Sequence, residues 1–151
     1  MRHIIPPWML IVQEEYNKNT KEVTGGENPN ILAYHQCTAL KATDDETPWC
    51  SAFANFVMQK CSLAYKGTQS AQAISWLEWG KEIGGRYGAI AVKDNGDGTG
   101  HVTFFLCLAD AEEYGYFVGG NQNNQLQISK YLLSDFVFRW PNSFAVKGGY
   151  G

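Results

Sequence analysis

Hydrophobic patterning changes character near residue 87, and that change constrains the fold more than any other feature. Before it, apolar residues recur at helical spacing: Trp8 to Tyr16, a short stretch opened by Asn28 or Asn30 with Pro29 and running to about Tyr34, Cys50 to Leu63, and a stretch capped by Ser70 that runs to Trp79 and stops at Gly80. After it the signals are those of strands: Gly88–Lys93, Val102–Leu108, Tyr114–Val118, Leu126–Tyr131 and Phe136–Trp140, separated by turn residues. Helices first and strands later predict an α+β domain, with N-terminal helices packed on a C-terminal antiparallel β-sheet. A chain of 151 residues suits one such domain, residues 1–151, and 44% hydrophobic with 14% aromatic residues argues against disorder.

The start of the third helical stretch carries chemistry. Thr47 reads as its N-cap and Pro48 as its first residue, with Asp44, Asp45 and Glu46 just ahead, where negative charge suits a helix N-terminus. Cys50 then falls in the first turn. The unpaired backbone N–H groups and the positive end of the helix dipole favour a thiolate there, and the same N–H groups suit the oxyanion of a tetrahedral intermediate. Ala52, Phe53, Phe56, Val57 and Met58 make this a central helix, buried on one side.

A histidine opens the Val102 strand. If the turn after Leu108 centres near Ala111, antiparallel pairing sets residue 101 opposite residue 121, and Asn121 is then placed to hydrogen-bond the His101 imidazole and fix its tautomer. Gln122 takes that place if the register slips by one, because a slip turns every side chain to the other face. Cys50, His101 and Asn121 are thus the candidate catalytic set. Ser51, Trp49, Tyr34 and Gln122 are candidates for substrate contact or for stabilising an oxyanion.

The strings DDETPWCSAFANFVM, GTQSAQAISWLEWG, GAIAVK with GHVTFFL, and GYFVGGNQNNQLQISKY resemble bacterial cell-wall cysteine peptidases of the NlpC and CHAP superfamily. The likeness runs from Pro6 to about Pro141. It is greatest to a compact single-domain branch that includes phage-type hydrolases and type VI secretion amidase effectors, above all the third effector family. The resemblance implies a papain-like fold, Cys50 as nucleophile, His101 as general base, a third polar residue at Asn121, and cleavage of stem-peptide cross-links in peptidoglycan. For an effector it also implies an immunity protein that blocks the cleft. A phage endolysin, a Cys-His acyltransferase and a binding module without catalysis are the competing readings.

The remaining features narrow the classes. A net charge of −3 with scattered basic residues gives no electrostatic footprint for nucleic acid. The apolar run Ile4 to Val12 holds two prolines and is followed by Gln13-Glu14-Glu15, so it does not read as a secretory signal, and no stretch approaches the roughly twenty residues of a membrane span. Delivery to the periplasm of a target bacterium, by a secretion apparatus or by phage lysis, is the expectation. Four cysteines are present. Cys107 is expected in the core, and Cys37 with Cys61 is the pair open to a disulfide. No Cys/His spacing suits zinc, Asp94 to Gly100 reads as a hairpin loop rather than a calcium loop, and thiol chemistry requires neither metal nor cofactor. Trp76 and Trp79, at helical spacing, are expected in the core.

Overall fold

A computed structural model describes residues 5–23 and 27–144. Among these residues three α-helices precede a six-stranded sheet. They are α1 (Trp8–Tyr16), α2 (Pro29–His35) and α3 (Cys50–Cys61), followed by β1 (Lys81–Glu82), β2 (Ile90–Asp94), β3 (Gly100–Leu108), β4 (Tyr114–Gln122), β5 (Gln125–Leu132) and β6 (Val137–Trp140). The strand order is β1-β6-β2-β3-β4-β5, and every pairing is antiparallel. The α+β class, helices N-terminal and strands C-terminal, is therefore observed.

The main core lies between α1–α3 and one face of the sheet. Phe53, Ala54, Val57 and Met58 of α3 are buried against Ile90, Val92, Val102, Phe104 and Val118. Phe53 meets Phe104 edge-on at 6.2 Å and Tyr34 edge-on at 5.1 Å between ring centroids. Emptying such a site, as in Phe53→Ala, typically costs about 3–5 kcal/mol. Strand alternation sends Ala91, Phe105 and Phe117 to the other face, where Phe136 joins them in a smaller second core. Trp8 anchors α1 by donating from Nε1 to the Gly88 carbonyl at 2.8 Å. Gly88 has φ +87°, and a Cβ there would press on Pro6, so only glycine suits this contact.

Several local expectations are corrected. Thr47 does not cap α3. Its N–H and its hydroxyl both bond Asp44 Oδ1, at 2.7 and 3.0 Å, which holds Thr47 in the preceding turn, so the cap position falls to Trp49 and Cys50 becomes the first helical residue. The helix ends at Cys61 rather than Leu63, where Ser62 adopts an extended backbone. The helix expected from Ser70 to Trp79 is only a 3-10 turn, Ala73–Trp76. Side chains compete with its backbone: Ser70 Oγ accepts from the Gln72 N–H and Ser75 Oγ donates to the Gln72 carbonyl. Trp76 is nevertheless buried. Cys107 is exposed, because the β3–β4 register shifts between Phe105 and Cys107 and breaks the alternation. All four cysteines are free, Cys37 and Cys61 included. The two-residue β1, paired to β6, was not expected at all.

No helix among the described residues is long and apolar enough to cross a membrane.

Candidate active site

The first turn of α3 is pressed hard against the sheet. A Cβ on Gly120 would come within 2.7 Å of the Trp49 ring and 2.9 Å of Phe53 Cβ, so glycine is what lets the helix start this close to β4. Trp49 is locked in place: it stacks on Tyr34 and donates from Nε1 to Glu22 Oε2 at 3.0 Å. Glu22 itself lies on a segment joined to the sheet tip, its N–H donating to the Asn124 carbonyl and Leu126 N–H to Thr20. Asp45 Oδ2 ties the same region by accepting from the Val23 and Asn28 N–H groups.

Cys50 retains 6% of its surface exposed. Its sulfur faces the His101 side chain and the backbone N–H groups of Ser51 and Val102, each of which favours the thiolate. The Val102 donor is available for a topological reason. Alternate residues of β3 address β2 and β4 in turn, and Phe105 N–H goes to Ala89 of the β2 side. By that alternation Val102 N–H points toward β4, yet the β3–β4 pairing begins only at Phe104↔Val118. That amide is one of the two backbone groups acting on the sulfur. Alternation also puts His101 on the face of Thr103 and Phe105, opposite to Val102 and Phe104.

Burial pushes the Cys50 thiol upward, but the hydrogen bond and charge of His101 and the two backbone donors outweigh it, and the thiol titrates below its ordinary range. For His101, burial pushes downward; the Cys50 hydrogen bond and charge, with Gln122, more than restore it, and the imidazole titrates above its ordinary value. Each group thus shifts the other in the direction that favours a thiolate and an imidazolium.

The partner on the other imidazole nitrogen is Gln122, not Asn121. His101 Nε2 lies 3.0 Å from Gln122 Oε1. The amide is fully engaged: Oε1 also accepts from the Thr103 hydroxyl at 2.6 Å, and Nε2 donates to the carbonyls of Phe117 at 3.2 Å and Gln127 at 2.8 Å. Those two carbonyls accept only, which fixes the amide with its oxygen toward the imidazole. His101 therefore carries its proton on Nε2 when neutral, leaving Nδ1 for the thiol. Asn121 is displaced by a bulge. Between Gly119↔Gln127 and Gln122↔Gln125, β4 carries one more residue than β5. Asn121 absorbs it at φ +57°, the left-handed region that Asn tolerates. Gly119 completes the arrangement, since a Cβ there would meet Thr103 Oγ1 and Gln122 Oε1 at 2.5 and 2.8 Å.

Three other candidates serve packing. Tyr34 is fully buried and donates to Glu15 Oε1 at 2.7 Å, and burial and this carboxylate raise its hydroxyl far above the usual range. It offers no donor at the thiol. The Ser51 side chain is buried and spent on the 68–76 segment: Oγ donates to the Ser70 carbonyl at 2.7 Å and accepts from Trp76 Nε1 at 2.9 Å. Trp49 is likewise 0% exposed and cannot line a substrate path.

Four residues at the site escaped the sequence. Thr103 shares the His101 face, a position its spacing of two could have disclosed. Tyr131 sets its ring edge-on to the imidazole, 5.8 Å between centroids at 72°. Lys93 is paired across from His101. The Val102 backbone donor has no side-chain signature. Beyond Gln122, a polar row runs along β5, with Gln125 Nε2 donating to Gln127 Oε1 and Gln127 Nε2 to Ser129 Oγ. Compared with protein-family models, with curated proteins and with solved structures, the chain matches none.

Proposed function

We propose that this chain is a cysteine peptidase or amidase in which Cys50 is the nucleophile, His101 the acid–base and Gln122 the residue that orients it. One observation carries the reading: a thiol at the first position of a helix faces an imidazole whose far nitrogen is fixed by a buried amide. The thiolate attacks a peptide carbonyl, and the electron pair of the carbonyl moves to oxygen. The Cys50 N–H, first in its helix and so without a helical acceptor, is placed to receive that oxyanion. Collapse of the intermediate expels the amine, which takes its proton from His101 Nδ1. His101 then removes a proton from water, the hydroxide attacks the thioester, and the thiol is released with its proton returned.

The substrate class rests on the resemblance of the residues around Cys50, His101 and Gln122 to NlpC and CHAP cell-wall peptidases. On that basis the reaction is cleavage of stem-peptide bonds in peptidoglycan, as an antibacterial effector delivered to the periplasm of a target bacterium. An immunity protein covering Cys50 is the partner such a role requires. Purified sacculi provide the test. The unaltered protein releases muropeptides whose masses identify the bond cut, and Cys50→Ala, which removes only the sulfur, folds and releases none. Digestion that survives in Cys50→Ala overturns the mechanism, and sacculi left intact by the unaltered protein overturn the substrate.

A further inference from the structure

The imidazole has a cation for a cross-strand neighbour. Lys93 and His101 are direct partners in the β2–β3 ladder, and opposed residues share a face with Cβ atoms about 5 Å apart. The Lys93 side chain is 43% exposed, and its ammonium lies 3.8 Å from Asp135 Oδ2, on a carboxylate that is also 43% exposed. A pair so open and so long contributes little and leaves the charge free to meet another anion. Apart from Cys50, the other polar groups around His101 are neutral: Thr103 on its own strand, Gln122 of β4, and Tyr131 of β5.

We propose that Lys93 is a specificity residue that anchors a carboxylate of the substrate, so that the bond cut lies beside a free acidic group. The inference rests on the thiol–imidazole reading of the same site and adds the substrate's charge to it. Stem peptides, which carry free carboxylates, are of this class. A docked carboxylate does more than bind. Lys93 opposes the proton on His101. An anion between them offsets that opposition and strengthens the thiolate–imidazolium pair when acidic substrate is present.

Two small alkylating reagents separate this inference from the reading beneath it. Iodoacetate and iodoacetamide both react by forming a carbon–sulfur bond as iodide leaves, and they differ in one negative charge. The measured quantity is the ratio of their rates at Cys50. Lys93→Gln is expected to lower the iodoacetate-to-iodoacetamide ratio about fivefold, Lys93→Arg to keep it, and Asp135→Asn to raise it, with all differences shrinking as salt is added. An unchanged ratio in Lys93→Gln overturns the anchor, while rapid reaction of the unaltered protein with iodoacetamide at neutral pH leaves the thiol–imidazole reading standing. Iodoacetamide reaction no faster than that of an ordinary thiol overturns both.

Discussion

Replacing Gln122 by leucine roughly preserves side-chain volume and removes every polar atom. Four hydrogen bonds disappear, those to His101, Thr103, Phe117 and Gln127. The site is 2% exposed, so water does not readily replace them. At about 1 kcal/mol net per bond, the loss is about 4 kcal/mol. For a chain of this size that corresponds to a fall of about 8–16 °C in Tm. The effect on chemistry is separate. The bond to the imidazolium is a hydrogen bond to a charged group, about 1.5–3 kcal/mol, which is about 10- to 150-fold in rate if it is fully expressed at the transition state. Urea unfolding reads the first quantity and turnover, or iodoacetamide alkylation in the folded baseline, reads the second. Asn121→Gly is the control, because glycine keeps the positive φ and Asn121 takes no part in the network. Equal losses in the two variants, or a Gln122→Leu protein as stable and reactive as the original, would refute the assignment of the third position.

Two further predictions follow from the same geometry. His101→Ala removes the two largest of the four contributions that together outweigh burial at Cys50, so the thiol titrates upward and alkylation at neutral pH falls by about tenfold or more, recovering as pH is raised. In the unaltered protein the signs are opposite for the two partners: the thiolate's stabilising contribution is lost as pH falls through the lowered Cys50 value, and the imidazolium's is lost as pH rises through the raised His101 value. A pH–alkylation profile identical in both proteins would contradict this. Tyr34→Phe deletes a hydroxyl bonded to the buried Glu15 carboxylate and costs about 1.5–3 kcal/mol in denaturant unfolding, with turnover changed by less than about twofold. A large loss of turnover would return Tyr34 to the oxyanion.

The sequence carried the architecture because periodicity survives translation into structure: Trp8–Tyr16 and the strands around Phe104, Phe117 and Ile128 lie where their spacing puts them. It also carried the pairing of a helix-start cysteine with a strand-start histidine. It failed where backbone count or side-chain competition intervenes. Residues 101 and 121 would have faced each other in a regular ladder, but the extra residue absorbed at Asn121 hands the position to Gln122. Gly-Gly-Asn is a composition prone to left-handed backbone, and that was the available signal for a bulge. Thr47 was a sound cap candidate that lost its hydroxyl to Asp44. Tyr34, Trp49 and Ser51 were near the thiol in sequence or in expectation, yet burial committed each to a neighbour before any ligand arrives.

The parting of β3 and β4 has a consequence for anyone seeking a sturdier protein. Extending that ladder through residues 103 and 102 would be the obvious way to tighten the sheet, and the rung at 102 would add backbone bonds. The same rung would take the Val102 amide away from the sulfur. Rigidity and reactivity compete for one N–H, and variants selected for heat resistance at this edge should be screened for a silent thiol.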